Sequence, residues 1–364
     1  MQYGVLMKNF LVFFRKIIPE KSCCFVFIIL LLCFSSSTAA KEEDSEKLKK
    51  DYFLSQSLKL GKKTVQSAFF SPNDQQAVIL SGSSSLEIFK IQNGKRLSVI
   101  SSHEHKAISL VLHAGGKLAV TGGQDDTVRI WSTDQSTVQA VMRGHLSAVS
   151  VLALNTGGEI LASGSLDGTV ILWNMKEHEF LKSTKVIGKS SIKSLAFHPN
   201  GRILAIGGED GSLQFRSIPE MKLITTLSGH KNSINDLEFN PRGNLFVSAS
   251  EDGKVIIWDW KVKKQRSKIN FEEAVSTINI NPKLAEIVVG TAGGRLETWS
   301  ITKGTLLHQI TESGPLISSA GYDRNGSRII SALEDGTVQI WENGVSLHMK
   351  TFSGHERIVE SLEF

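Results

Sequence analysis

His145, Ser163 and Asp167 combine the residue types of a hydrolytic triad, in which an acid-oriented imidazole activates a hydroxyl for acyl transfer. The same types return at His103, Thr121 and Asp125, and again at His230, Ser248 and Asp252. A catalytic site is needed once, so a set that recurs along the chain points to structural duty. Three His-Glu dipeptides begin at His103, His178 and His355. A zinc-protease helix needs a second histidine four residues on, and Ala107, Lys182 and Val359 stand there instead. Gly188, Lys189 and Ser190 resemble the end of a phosphate loop, but Ser183 holds the place of its first glycine and the segment leads into a strand. His103 and His105 would share a face if extended, yet two ligands do not complete a metal site. The sequence assigns no catalytic residue, no cofactor and no metal.

The charge balance excludes a general attraction to phosphate. Of 41 basic and 36 acidic residues, residues 1–40 hold four and one, and the remaining 37 and 35 nearly cancel. The first forty residues have the three parts of an export signal: a basic stretch ending at Lys21, an apolar run from Cys23 to Phe34, and small residues from Ser35 to Ala40. Cleavage after Ala40 is expected, with a periplasmic or extracellular product. The alternative is a membrane anchor, for which the run is short of the roughly 20 residues a spanning helix needs. Lipid attachment at Cys33 would want a small residue before it, and Leu32 sits there. All three cysteines, Cys23, Cys24 and Cys33, fall in this segment, so the mature chain has no disulfide or thiolate site.

Residues 41–51 read as a charged linker and residues 52–364 as one repeat array. Short β-like runs separated by Gly, Asn, Asp and Pro recur, and one position falls at Phe89, Trp131, Trp173, Arg216, Trp258, Trp299 and Trp341. Five of the six tryptophans occupy that grid, whose period is close to 42 residues. Within one period, Val149 to Leu154, Ile160 to Ser163 and Thr169 to Trp173 read as strands, and a more polar fourth strand follows. His198-Pro199-Asn200-Gly201 and Asn240-Pro241-Arg242-Gly243 suit type I turns between the first two strands. Four-stranded units of this size must stack on neighbours to bury both faces, and radial stacking gives an all-β propeller.

With Gly-His at Gly144 and His145, Gly229 and His230, and Gly354 and His355, the chain from residue 52 onward resembles the WD-repeat family. The resemblance implies a four-stranded antiparallel blade per repeat: seven complete units plus a partial eighth. It also implies a buried hydrogen-bonded tetrad, complete three times: His103, Thr121, Asp125 and Trp131; His145, Ser163, Asp167 and Trp173; His230, Ser248, Asp252 and Trp258. The fourth unit keeps only Asp210, the sixth only Trp299, the seventh lacks the histidine, and the first has none, so these units are expected to rely on apolar packing. The tail Ile358 to Phe364 reads as the first strand of a further blade. Phe53 to Leu60 resembles a fourth strand, so the two ends either meet in one closing blade or belong to a longer chain.

The family consists largely of assembly scaffolds, which makes an exported protein-interaction platform the leading expectation. The competing class is an enzyme: a propeller with a channel site, or the sensing part of a larger exported enzyme. A channel site should show carboxylates or histidines converging from different blades, whereas the innermost strands look mostly apolar. The resemblance places Gln124, Leu166, Glu209, Glu251 and Glu334 on one rim as partner-binding candidates. Other proteins are the expected partners, with no nucleic acid and no stable membrane span after leader removal. Lys261, Lys263, Lys264, Arg266 and Lys268 form the main basic cluster of the mature chain, expected on an outer strand where lysines discourage edge pairing; the alternative is a nucleic-acid or anionic-surface patch, against which stands that no aromatics interleave with the charges. Asn325, Gly326 and Ser327 form a glycosylation sequon within a predicted turn.

Overall fold

The computed structural model describes residues 50–345 except 61–63, 83, 102 and 187–189. The tail strand expected at Ile358 to Phe364, Gly188 and the export segment lie outside the described residues. Residues Asp51–Gly344 form one compact unit. Seven four-stranded antiparallel sheets make up this unit, as the 42-residue period requires. Blades 1 to 6 span 65–101, 107–143, 149–185, 192–227, 234–270 and 275–311, each with its strands paired in sequence order. Blade 3 is typical: Val149–Leu154 is innermost, Ile160–Ser165 and Thr169–Asn174 follow, and Glu179–Lys185 is outermost.

Blade 7 is built from both ends of the unit. Ile317–Tyr322, Arg328–Leu333 and Thr337–Val345 supply three strands, and Lys50–Lys59 adds the fourth. The Leu60 amide donates to the Gly336 carbonyl (3.0 Å) and the Ser55 hydroxyl to the Glu342 carboxylate (2.9 Å). A strand drawn from the far end of the sequence closes the ring without a covalent link, and it covers the edge of Thr337–Val345.

The core consists of seven apolar clusters, and each fills the seam between two adjacent blades. This follows from the strand pattern: the second and third strands are buried on both faces, while the fourth is mostly polar, as in Glu179–Lys185. Glycine at the end of the second strand lets neighbours close up. A Cβ on Gly164 would lie 2.5 Å from a methyl of Ile192 in the next blade.

Small polar side chains join the innermost strands across the same seams. Ser150 donates to the Ile192 carbonyl (2.5 Å), Ser194 to Ile234 (2.7 Å), Asn235 to Val275 (2.9 Å), Ser276 to Ile317 (2.5 Å) and Ser318 to Val65 (2.7 Å). These residues sit at or beside the β-bulge that opens each first strand, where the ladder is interrupted and a carbonyl is free to accept.

Candidate functional site

Antiparallel connectivity sends two kinds of loop to one end of the ring: those joining second to third strands, and those joining one blade to the next. We call this end the upper rim. The three expected tetrads pin these loops to the sheet. In blade 2 the Trp131 indole donates to the Thr121 hydroxyl (2.8 Å), which meets His103 Nε2 (2.8 Å), and His103 Nδ1 meets Asp125 (2.8 Å). Blade 5 repeats the chain through Trp258, Ser248, His230 and Asp252 at 2.9, 2.7 and 3.1 Å. In blade 3 the Thr169 hydroxyl intervenes. It lies 3.0 Å from His145 Nδ1 and donates to Asp167 (2.6 Å), leaving the carboxylate 3.7 Å from the imidazole.

The network fixes the proton positions. An indole can only donate, so each hydroxyl accepts from Trp and passes its own hydrogen to Nε2, which leaves Nδ1–H for the acidic end. Burial lowers the pKa of His103, His145 and His230 despite the neighbouring carboxylates, so the imidazoles are neutral. Partial burial works to raise Asp125, but bonds from Thr127 and His103 outweigh it and hold the carboxyl at about 2. Asp252 is held at about 2 in the same way, by Lys254, the Lys231 amide and His230. Each hydroxyl is thus committed between an indole and an imidazole beneath the surface, which is the geometry of a brace. The Gly-His dipeptide has a steric reason too: a Cβ on Gly229 would lie 2.7 Å from the Trp258 ring.

The upper rim repeats with little variation in its backbone. Gln124, Leu166, Glu209, Glu251 and Glu334, with Gly82 and Ala292, each donate their backbone amide to the loop entering their own blade. The acceptors are Lys106, Ala148, Ser191, Ser233, Leu316, Thr64 and Ala274, at 2.7 to 3.1 Å. All seven therefore occupy equivalent places on one ring. Gln124, Leu166, Glu209, Glu251 and Glu334 are exposed. Leu146, 87 % exposed, lies in the loop entering the same blade, and its amide donates to Asp167 (2.8 Å), the residue after Leu166. Glu209 pairs with Lys193 at 3.5 Å, and the Ser191 hydroxyl and this ammonium lower its pKa.

Two expectations need correction. Units without a tetrad do not rely on apolar packing alone. In blade 6 the Trp299 indole donates to Glu297 (2.9 Å), Arg295 lies 3.9 Å from Glu297 and 3.6 Å from Glu273, and Thr291 donates to Glu273 (2.7 Å). In blade 4 Arg216 donates to the carbonyls of Met221 (2.9 Å) and Val186 (3.3 Å). A buried polar position in a sheet must find partners, whichever residues supply them.

The innermost strands are also less apolar than they read. Asp236 and Glu238 project from Ile234–Phe239 of blade 5 toward Val275–Ile280 of blade 6. Asp236 accepts the Ile278 amide (2.9 Å) and Thr277 hydroxyl (3.2 Å), and Glu238 accepts the Ile280 amide (2.6 Å) and Asn279 side chain (3.2 Å). Asn279 in turn accepts the Tyr322 amide of blade 7 (2.8 Å). Burial pushes Asp236 up to about 6 despite these bonds, and pushes Glu238 well up, with Asp236 adding to the effect. Both carboxylates come from a single blade and are engaged by the backbone of the next, which is a stapling role. The alternation Asn-Asp-Leu-Glu-Phe was the available signal, but it equally describes a strand with one wet face.

Comparison with known proteins follows the same repeats. The profile described as "WD domain, G-beta repeat" matches residues 94–132, 136–174, 221–259 and 304–342, and one described as "Anaphase-promoting complex subunit 4 WD40 domain" matches 184–235. Pre-mRNA-processing factor 19 of Bos taurus is 23 % identical over 163 residues, covering 44 % of this chain and 32 % of that protein. The Mus musculus and Rattus norvegicus proteins of that name match to the same extent, so the similarity spans about a third of these relatives' length.

Proposed function

The chain belongs to the WD-repeat β-propeller family, and from that premise we propose that it is an exported protein-interaction scaffold whose upper rim captures a basic partner. The observation that carries this reading is the ring of seven loops held by the same backbone bond. It presents different side chains from a uniform frame, which suits recognition. On blades 4 to 7 the upper loops carry nine acidic residues against Lys189, Lys231 and Arg295. On blade 3, Leu146 and Leu166 provide an apolar foothold. Acidic charge raises the association rate of a cationic partner, and buried apolar anchors slow its release.

The test is capture from extracts with a Glu209→Lys, Glu251→Lys, Glu334→Lys variant. Wild-type capture should be salt-sensitive and the triple variant should lose most of it, while melting is retained. Unchanged recovery would move the partner site off this rim. Export rests on the leader pattern of residues 1–40. N-terminal sequencing of protein from the envelope or medium should begin near Lys41, and intact leader in soluble cytoplasm would defeat that part of the reading.

A further inference from the structure

The opposite end of the ring has the opposite character. Loops joining first to second and third to fourth strands meet there, and on blades 4 to 7 they carry eight Lys or Arg residues against Glu220 and Asp323. Asp323 is buried and committed to Arg328 at 3.0 Å. Arg242, Lys261, Lys263, Lys283, Lys303 and Arg324 are all exposed. On blades 4 to 7 the two ends therefore differ in charge, a separation the near-neutral total conceals; the lower loops of blades 1 to 3 carry Asp74, Asp134, Glu159 and Glu177 against Lys117 and Lys176 and do not share it.

Exposed apolar side chains stand among these charges: Val262 is 58 % exposed, Leu223 53 % and Leu284 49 %. Trp260, the one tryptophan off the repeat grid, is half-buried nearby, with the Lys263 ammonium 5.8 Å from its ring centre. Basic residues interleaved with Val, Leu and Trp at the tips of loops on one face suit contact with a headgroup layer.

The path of the chain agrees. Lys50–Lys59 is a fourth strand, and fourth strands run from the lower rim to the upper, so the chain enters the propeller unit on this basic side. The apolar run ending at Phe34 is joined to that point by sixteen residues, 35–50. Fully extended, they reach at most about 55 Å. Were the apolar run to enter a bilayer, the lower rim would be the side of the propeller unit that carries the covalent link to it.

From this we propose that the lower rim of blades 4 to 7 is a docking surface for an anionic lipid bilayer. The upper rim then points away from the membrane and stays free for a protein partner, so the two proposals stand or fall separately.

The test uses the full chain and vesicles of phosphatidylcholine alone or mixed with phosphatidylglycerol. Sedimentation should show binding to the mixed vesicles that weakens steeply with salt. Lys261→Ala, Lys263→Ala and Lys283→Ala together should weaken it roughly a hundredfold, each basic residue at such a surface being worth about fivefold. Val262→Ser with Leu284→Ser should weaken it several-fold, while Glu251→Gln with Glu334→Gln on the upper rim leaves it unchanged. All variants keep the leader, so their differences report the rim. Equal binding of the triple lysine variant, or equal binding to both vesicle types, would overturn the proposal. Displacement from mixed vesicles by polyglutamate would assign the rim to an acidic polypeptide instead. Salt-sensitive self-association without lipid would assign it to the acidic rim of a second copy.

Discussion

Asp125 and Asp252 under the upper rim, and Asp236 and Glu238 at the seam of blades 5 and 6, are carboxylates with opposite electrostatic fates. The first two are held at about 2 and the second two are pushed upward. The difference lies in depth first and in company second: burial strips water from Asp236 and Glu238 almost completely, whereas Asp125 and Asp252 are only partly desolvated and accept several strong hydrogen bonds. Asp125 and Asp252 receive cationic help, with Arg129 at 2.9 Å and Lys254 at 2.9 Å, besides several uncharged donors. Asp236 and Glu238 have backbone and side-chain dipoles only, and each is the other's nearest like charge. Dipoles satisfy hydrogen bonding without repaying the loss of hydration, whereas an adjacent cation repays part of it. The same residue type therefore stabilises one region when ionised and strains the other.

The largest effect should come from removing the group that organises a tetrad. Trp173→Ala should cost about 3 to 5 kcal/mol, the range of large aromatic truncations in cores, read by urea or thermal unfolding. A variant with unchanged melting that lost only an activity would return His145, Ser163 and Asp167 to a catalytic reading.

Next, neutralising one carboxylate of each kind should separate the two regions. Asp252→Asn should cost about 2 kcal/mol at neutral pH, because it removes charge-assisted bonds to Lys231, His230 and Lys254. Glu238→Gln should change stability by less than about 1 kcal/mol, since the amide oxygen still accepts the Ile280 N–H and the substitution removes one of two neighbouring buried carboxylates. Equal losses in urea titrations would erase the distinction drawn above.

The pH profiles should then diverge in opposite senses. For Asp125 and Asp252 the folded pKa lies below the ordinary value, so their contribution is present above about pH 4 and is lost as pH falls toward 2. For Asp236 the folded pKa is raised to about 6, so the folded protein holds this proton more tightly and stability is lost as pH rises from about 4 through 6. The tetrad histidines titrate in the same window with the opposite sign: being neutral in the fold, they cost stability as pH falls below their ordinary range. A difference curve isolates the seam. Glu238→Gln should gain on the wild type as pH rises from 5 to 8, and a flat difference would remove the seam from the account.

The smallest change in stability should come from the rim itself. Glu209→Lys, Glu251→Lys and Glu334→Lys together should shift unfolding by no more than about 0.5 kcal/mol per site, since exposed positions carry little of the fold. A large loss of melting temperature would show that these residues belong to the frame.

The repeat spacing and turn chemistry were enough to read seven four-stranded units and their strand order, because a period of about 42 residues and Asp-Gly turns are local features, whereas the three tetrads and the shared rim of the loops followed from the resemblance to the WD-repeat family. Closure by Lys50–Lys59 was half visible, since that stretch reads as a fourth strand but its partner lies nearly three hundred residues away. The interblade staples, the substitute network of Glu273, Arg295 and Glu297, and the roles of Asp236 and Glu238 were not visible. Each depends on which strand faces which across a seam, and sequence pattern does not order neighbours in space. The separation of charge between the two rims was hidden most completely. Composition adds the charges of both ends, and only the alternating direction of the strands sends the acidic loops of blades 4 to 7 to one end and their basic loops to the other.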